Sequence, residues 1–402
     1  MTDTALGHLK VLELCSMVAG PYCGKLLADL GAEVIKIERP GAGDQARRRG
    51  PFPNNVPDQE ASGLFLYLNT NKLGITLDVQ TSSGRNVFED LIAQTDILIE
   101  DWPPGCAEEA ALTYAKLREV NPRLVMTSIT PYGQAGPYRD YKAYELNCVH
   151  AGGEGYMMPI ESDYPDREPL KGGGLVGDCV CGLSACLATL AAVYGARATG
   201  SGQHVDVSKQ DVLMTLVGLE VAMYTYTGVV RNRRRRAAMT AIPFKCRDGH
   251  VHISAFGDRD WQTLIGLMGR TDWQNDEGFS NVTKRWGRSD EIDRGIGDWV
   301  ADQDKEHLFH ELQKQAVAAV PVNTSEDLLN APQLRARGFF VEIDHPGAGR
   351  LEYPSTAYRL SETPLQYARS APLLGQHNDL VLCERLGLTR ESVVRLAEAG
   401  VV

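Results

Sequence analysis

Short apolar segments alternate with helical segments through the first third of the chain. The predicted helices cover GPYCGKLLADLG (20–31), SGRNVFEDLIAQ (83–94) and LTYAKLREV (112–120), and the predicted strands are KVLEL (10–14), EVIKIE (33–38), GITLDV (74–79), DILIED (96–101) and RLVMTSIT (123–130). Strands separated by helices and short loops favour a parallel sheet with helices on its faces. The sequence therefore predicts an α/β fold of the doubly wound, Rossmann-like kind.

The turn after the first strand lacks the glycine pattern of a dinucleotide site. Such a site has G-x-G-x-x-G between its first strand and helix, where the glycines let a pyrophosphate approach the backbone. This chain has CSMVAGPYCG (15–24) there instead. The glycine-rich pieces PGAGD (40–44) and GGEG (152–155) do not lie between a strand and a long helix. A nicotinamide or flavin site is therefore disfavoured.

Composition indicates an acidic protein that acts on small molecules. The 402 residues carry a formal net charge of −11, so a polyanion such as nucleic acid would be repelled. No segment is predicted to cross a membrane, and MTDTALGHLKVLEL at the start lacks the pattern of a secretory signal. The nine cysteines are an odd number, and disulfides are not expected. We expect a cytoplasmic protein with no nucleic-acid or membrane partner.

The character of the chain changes near residue 212. We expect residues 1–211 and 333–402 to form a large α/β domain, to which the strand-like pieces of the tail return. A linker over 212–240 would include the basic run RNRRRR (231–236), and a smaller α+β domain would span 241–332. The hairpin FKCRDGHVHIS (244–254), with Asp-Gly predicted at its turn, lies near the start of the small domain.

One ionisable residue, Asp178, stands at the start of the small and apolar segment GLVGDCVCGLSACLATLAAV (174–193). An ordinary helix N-cap, a metal or redox site with nearby cysteines, and a catalytic carboxylate are the three interpretations. Cys179 and Cys181 are spaced as C-x-C with no histidine close behind, which disfavours a metal or redox site. Spacing alone favours the N-cap.

Segments along nearly the whole chain carry a family likeness: VAGPYCGKLLADLGAEVIKIERPGAGD (18–44), NTNKLGITLDV (69–79), NPRLVMTSITPYGQAGPY (121–138), GDCVCGLSACLATLAAVYGARATGSGQHVDVSKQDVL (177–213), FKCRDG (244–249), VPVNTSEDLLNAPQLRARGFF (320–340) and PLLGQHN (372–378). In this order they resemble the class III CoA-transferases, the family that includes formyl-CoA transferase and the carnitine and bile-acid CoA-transferases. A single one of these segments would be a weak signal, but together they are a strong one.

The resemblance implies that Asp178 is a nucleophile. Its carboxylate would attack an acyl-CoA thioester to give a mixed anhydride, which the released thiolate would convert to an aspartyl-CoA thioester. The implied substrates are acyl-CoA and a small organic acid, with no permanently bound cofactor and no metal. The resemblance also implies a homodimer whose two chains interlock like linked rings. The residues that it places against CoA are Val18, Ala19, Arg39, Leu77, Asp101 and Lys142.

The segment EDWPPGCAEEA (100–110) departs from the family pattern. Asp101 replaces an asparagine of many relatives, and Glu109 falls near the place of an arginine. Either the nucleotide is held differently or the basic run 231–236 supplies the charge. Arg39 and Lys142 could also be ordinary surface cations.

Two other functions stay open. The related α-methylacyl-CoA racemases use a histidine where this chain has Tyr144, and tyrosine is a poor α-proton base near neutrality. His150 lies six residues downstream, where a structural role is the more common one. A non-catalytic protein would bind acyl-CoA without exchanging it.

Overall fold

Six parallel strands form one sheet in the computed structural model, which describes residues 4–159, 166–231, 233 and 242–402. The strands are β1 (Lys10–Leu14), β2 (Glu33–Glu38), β3 (Leu73–Thr76), β4 (Ile97–Glu100), β5 (Val125–Thr130) and β6 (His204–Ser208). Their order across the sheet is β3-β2-β1-β4-β5-β6. This order reverses between β1 and β4, as in doubly wound folds, and the predicted fold class is confirmed.

Helices cover both faces of the sheet. The helices described up to residue 227 are α1 (Ala19–Asp29), α2 (Gly63–Leu68), α3 (Ser82–Ile92), α4 (Pro104–Glu109), α5 (Tyr114–Val120), α6 (Glu145–Ala151), α7 (Glu154–Met157), α8 (Val176–Thr199), α9 (Lys209–Leu216) and α10 (Gly218–Thr227). Successive side chains of a strand point to opposite faces, so Val11 and Leu12 belong to different apolar clusters. Helices α1 and α8 contribute to the first cluster, and α3 and α5 to the second.

Helix α8 is apolar around most of its circumference. Its length and a mean hydropathy of 1.8 would suit a membrane span, but half of its most apolar stretch is buried inside the chain, which is typical of a core helix. A Cβ on Gly182 would lie 2.4 Å from the carbonyl oxygen of Ala19, so glycine allows α8 to pack closely on α1. The opposite side of α8, with Leu187 and Tyr194, is exposed.

The chain divides into two compact units. One is formed by the described residues of Met1–Gly155, Lys171–Val229 and Arg337–Val402, and the other by those of Tyr156–Leu170 and Val230–Ala336. The first unit contains the six-stranded sheet. Helix α10 and the C-terminal part of α9 lie in the predicted linker, and most of the basic run 231–236 lies outside the described residues.

The second unit contains a three-stranded antiparallel sheet of β7 (Phe244–Cys246), β8 (Gly249–Ser254) and β9 (Ala318–Pro321). Its helices are α11 (Asp258–Leu267), α12 (Thr271–Asn275), α13 (Val282–Trp286), α14 (Ser289–Val300), α15 (Lys305–Lys314), α16 (Ser325–Asn330) and α17 (Pro332–Ala336). Cys246 pairs with Gly249, so the hairpin turn is Arg247-Asp248 rather than the predicted Asp-Gly.

The tail of the chain attaches to the edge of the six-stranded sheet. It contains the antiparallel pair β10 (Phe340–His345) and β11 (Gly349–Pro354), a π-helix (Asp379–Arg385) and α18 (Arg390–Glu398). The backbone N–H of Gly74 donates to Nδ1 of His377 over 3.0 Å, and that of Thr76 donates to Oδ1 of Asn378 over 2.9 Å. The tail therefore covers β3, which is an edge strand of the six-stranded sheet among the described residues.

A network of buried charges joins β1, β2 and the segment before β3. Both oxygens of Glu13 accept hydrogen bonds, one from Lys36 over 2.9 Å and the other from Lys72 over 2.7 Å, and all three side chains are fully buried. Burial alone would raise the pKa of the Glu13 carboxyl, but the two ammonium groups lower it below its ordinary value. Lys36 also contacts Asp44 over 2.8 Å, which ties the loop after β2 to the network.

Substitution of Glu13 should strongly destabilise the first unit, which contains the six-stranded sheet. Glu13→Gln leaves Lys36 and Lys72 without their shared counter-charge, and we expect the free energy of unfolding to fall by about 3–5 kcal/mol. Urea unfolding followed by circular dichroism measures the change. The matched control Glu311→Gln removes the exposed ion pair with Lys314 and should leave the midpoint unchanged. An equal midpoint for both variants would contradict the role of the network.

Candidate functional site

A cavity of about 240 Å³ opens at the carboxyl end of the sheet. Its wall is built from residues that follow four neighbouring strands: Cys15 and Ser16 after β1, Arg39 after β2, Leu77, Asp78, Val79 and Gln80 after β3, and Asp101 and Trp102 after β4. Ligands of doubly wound sheets bind outside the carboxyl ends of the strands, where the strand order reverses. The cavity occupies that position.

The loop after β1 is held from two sides. Oδ1 of Asp44 accepts hydrogen bonds from the hydroxyl of Ser16 and from the backbone N–H of Met17, both over 2.9 Å. Oδ2 of Asp101 accepts one from the backbone N–H of Ser16, also over 2.9 Å. Met17 has a φ of +68°, which side chains with a Cβ rarely adopt. These contacts fix an unusual backbone turn at the mouth of the cavity.

Two acidic groups at the end of β4 titrate near neutral pH. Burial raises the pKa of Glu100 to about 7, and it does the same for Asp101, although Ser16 and Lys209 oppose the shift at Asp101. The negative charge of Glu100 raises the pKa of Asp101 further, and that of Asp206 does the same for Glu100. A carboxyl with this pKa gains or loses a proton within the physiological range.

Asp178 is the third residue of α8 and does not cap it. The N-cap position is taken by Leu175, which makes no side-chain hydrogen bond to the helix, so the N-cap interpretation of Asp178 is wrong. The Asp178 side chain is mostly buried, and its Oδ1 lies 2.9 Å from Nζ of Lys209. The carboxylate is therefore held at the first turn of a long helix, where the helix dipole favours negative charge.

Lys209 is the first residue of α9 and directly follows β6. Burial would lower the pKa of its ammonium, but Asp178 and Asp101 outweigh that effect and raise it. Lys209 therefore stays positively charged and links Asp178 to the acidic end of β4. Neither its role nor its proximity to Asp178 was anticipated from the sequence. The one sequence signal is its position immediately after a strand, at the carboxyl edge of the sheet.

The segment before Asp178 is anchored by a second carboxylate. Oε1 of Glu145 accepts a hydrogen bond from the backbone N–H of Gly177 over 3.1 Å, and Oε2 lies 3.0 Å from Nζ of Lys171. Lys171 also donates to the carbonyl groups of Gly172 and Gly174. These contacts fold the glycine-rich segment into a defined approach to α8. Glu145 is a second site residue that the sequence did not single out.

Burial shifts the pKa of the cysteine thiols near Asp178 upward. Burial raises the pKa of Cys179 to about 11 and that of Cys181 to about 12, whereas metal binding requires the thiolate. Across the described residues, no group of three or more His, Cys, Asp or Glu side chains is arranged to hold a metal ion. The charged contacts described around Asp178 are those of carboxylates and ammonium groups.

The residues predicted to contact CoA fall into two groups. Arg39, Leu77 and Asp101 line the cavity. Val18 and Ala19 are buried at the start of α1, and Lys142 is exposed with its Nζ 5.6 Å from the ring centre of Tyr144. Asp178 is not among the residues that line this cavity. The CoA contacts stay a prediction.

Comparison of the sequence with known proteins identifies a family. The sequence matches CoA-transferase family III over residues 6–378. It is 33% identical over 388 residues to succinyl-CoA:mesaconate CoA-transferase of Haloarcula hispanica, covering 94% of this chain and 96% of that protein. It is 31% identical over 384 residues to succinate–glutarate CoA-transferase of Agrobacterium fabrum, covering 94% and 95% of the two chains.

A solved structure shows that the fold is also similar to that of a family protein. The crystal structure of a CAIB/BAIF family protein from Brucella suis superposes with a TM-score of 0.84 and 30% sequence identity, covering 95% of this chain and 99% of that one. Family match, relatives and fold agree with the resemblance that the sequence motifs carry. The chain belongs to CoA-transferase family III.

Proposed function

We propose that the protein transfers CoA from an acyl-CoA donor to a carboxylic acid through covalent intermediates on Asp178. One observation carries the proposal: the Asp178 carboxylate is not used as a helix cap but is held by Lys209 at the first turn of α8. A carboxylate that is ionised, positioned and free of a capping role is a competent nucleophile.

The chemistry proceeds without a proton being gained or lost. An oxygen of the Asp178 carboxylate attacks the thioester carbon, the carbon–sulfur bond breaks, and CoA leaves as a thiolate with the bonding electrons. The thiolate then attacks the Asp178 carbonyl carbon of the mixed anhydride and expels the first acid as its carboxylate. The aspartyl-CoA thioester so formed reacts with the second acid by the same steps in reverse. The acyl energy is retained throughout, so no ATP and no resident cofactor are needed.

The cavity at the carboxyl end of the sheet is the proposed position for part of the CoA molecule. The exposed guanidinium of Arg39 stands where it can pair with phosphate, and Leu77 supplies an apolar wall. Asp101 lines the cavity and interacts electrostatically with Lys209, which is the ion-pair partner of Asp178. Val18, Ala19 and Lys142 complete the proposed set of contacts, and they require the ligand to extend beyond the cavity.

The names of the relatives support a class of acids. Succinate, mesaconate and glutarate, which occur in those names, are small dicarboxylic acids. We extend that class to this chain, with a CoA thioester of one such acid as donor and another as acceptor. The free cysteines agree with a reducing cytoplasm, which is the proposed location.

A homodimer is part of the same proposal. Leu187 and Tyr194 on α8 are 71% and 80% exposed, and Tyr226 on α10 is 89% exposed. Large apolar side chains exposed to this degree are typical of an interface. A second copy of the chain, interlocked as the family resemblance implies, is the proposed partner.

Removal of the nucleophile should abolish exchange. Asp178→Asn keeps the shape of the side chain but cannot form the anhydride, and we expect the exchange rate to fall by about a thousandfold or more. Chromatography of the CoA thioesters measures exchange, and mass spectrometry of the wild-type Asp178 peptide detects its acyl or CoA adduct. The matched control is Asp211→Asn, which changes an exposed carboxylate in the first turn of α9 and should leave exchange intact.

Each contrary result has a definite meaning. Substantial exchange in Asp178→Asn would refute the covalent mechanism. Exchange of the α-proton of a branched acyl-CoA with deuterated water, without an adduct, would indicate the racemase. Acyl-CoA binding with neither reaction would indicate a non-catalytic protein.

Affinity for CoA should weaken as the pH rises through about 7, the pKa of Asp101. Below that pH the Asp101 carboxyl is neutral, and above it a carboxylate repels the phosphates, so the protonated form binds CoA more tightly. Isothermal titration calorimetry from about pH 6 to about pH 8 measures the dissociation constant. Asp101→Asn should remove this part of the pH dependence, whereas Asp140→Asn, at an exposed position, should not. Parallel pH profiles for all three proteins would exclude Asp101 from the CoA site.

A charge on the exposed side of α8 should dissociate the dimer. Leu187→Lys places an ammonium in the proposed apolar interface, and sedimentation velocity should then show monomers. Val56→Lys changes a 63% exposed residue outside the helices and should leave the dimer intact. A wild-type protein that sediments as a monomer at high concentration would overturn the proposed dimer.

A further inference from the structure

Lys209 is a cation in direct contact with the proposed nucleophile. Its Nζ lies 2.9 Å from Oδ1 of Asp178, and its side chain is only 17% exposed. The base of the side chain is fixed because Ser208 caps α9, its Oγ accepting a hydrogen bond from the backbone N–H of Asp211 over 3.2 Å. The ammonium is therefore confined to one place beside the reacting carboxylate.

The proposed reaction moves one negative charge past this ammonium. The charge starts on Asp178, passes to the CoA thiolate and then to the released acid, while Lys209 remains positive. Once Asp178 carries an acyl group or CoA, its side chain is neutral and no longer compensates the positive charge of Lys209. A mostly buried cation without a counter-charge is strongly unfavourable. The covalent intermediate therefore needs another anion next to Lys209.

Asp101 does not fill this need at neutral pH. It interacts electrostatically with Lys209, but its pKa of about 7 leaves it only partly ionised there. Its Oδ2 is also committed to the backbone N–H of Ser16. Glu145, the other carboxylate near Asp178, is paired with Lys171. Lys209 is thus available to a substrate anion once Asp178 has been acylated.

We propose that Lys209 binds the carboxylate of the acceptor acid in the aspartyl-CoA intermediate and presents it to the Asp178 carbonyl carbon. This inference rests on the proposed nucleophilic role of Asp178. The ligand class is a carboxylate of a small organic acid, because an ammonium of this kind forms charge-assisted hydrogen bonds with carboxylate oxygens. Lys209 then favours charged acids over neutral nucleophiles such as water.

The step balances with Lys209 unchanged. An oxygen of the bound acid attacks the Asp178 carbonyl carbon, the carbon–sulfur bond breaks, and the CoA thiolate leaves with the electron pair. In the anhydride so formed, the thiolate attacks the carbonyl carbon that belongs to the acceptor acid. The bond from that carbon to the bridging oxygen breaks, and the bridging oxygen remains on Asp178. Asp178 regains its carboxylate and its ion pair with Lys209. The ammonium keeps its proton throughout.

The test follows the decay of the aspartyl-CoA intermediate with two nucleophiles. The intermediate is formed with succinyl-CoA, freed of excess donor, and mixed with succinate or with neutral hydroxylamine, and the adduct on the Asp178 peptide is followed by mass spectrometry. In Lys209→Met, the aspartyl-CoA intermediate should decay about tenfold to a hundredfold more slowly at low succinate concentration. This is the loss in affinity expected when a hydrogen bond between charged groups is removed. Decay with hydroxylamine should be nearly unchanged.

Matched variants separate substrate binding from a structural role. Lys209→Arg keeps the charge and should restore much of the succinate rate, and Lys284→Met, which removes an exposed ion pair with Glu277, should behave as wild type. If Lys209→Met does not fold, Lys209→Gln takes its place in the same measurement. Equal slowing with both nucleophiles, or no slowing with succinate, overturns the proposal. Absence of any Asp178 adduct in the wild-type protein instead refutes the covalent mechanism itself, and this inference with it.

Discussion

The arrangement of the site depends on the buried ion pairs that the ammonium group of Lys36 forms. Lys36 stands opposite Glu13 in the parallel pair β1–β2 and contacts Glu13, Asp44 and the carbonyl oxygen of Cys15. Asp44 in turn fixes the loop after β1, and Ser16 of that loop holds Asp101. A chain of contacts therefore runs from the core of the sheet to the cavity.

The unit that contains the six-stranded sheet has buried charges both in its core and at the carboxyl edge of the sheet. In the core, each of the ammonium groups of Lys36 and Lys72 has a carboxylate partner, and the pairs can be stable because every charge is compensated. At the carboxyl edge, Lys209 has a partner whose charge the proposed chemistry removes and returns. The core therefore holds fixed ion pairs, whereas under the proposed mechanism the anion beside Lys209 changes during the reaction.

Local pattern predicted the sheet well and the site only in part. β1 and β2 have the predicted bounds because each is a short, mostly apolar run that ends at a loop. The family motifs singled out Asp178, whose catalytic role stays a prediction. The strand predicted over 74–79 ends at Thr76, since the backbone N–H of Asp78 donates to the distant Val401. The N-cap interpretation of Asp178 failed because the helix begins two residues earlier. Lys209 was missed because its contact with Asp178 spans 31 residues.

The attachment of the tail to β3 has a consequence for the order of folding. The contacts of His377 and Asn378 with β3 join residues 303 and 302 positions apart in sequence. During synthesis, residues 242–336 of the second unit leave the ribosome before these tail residues do, so that unit can acquire its structure while β3 still lacks its cover. This edge of the large sheet thus closes only after the tail residues have emerged, and an incomplete chain exposes a strand that can pair with other chains.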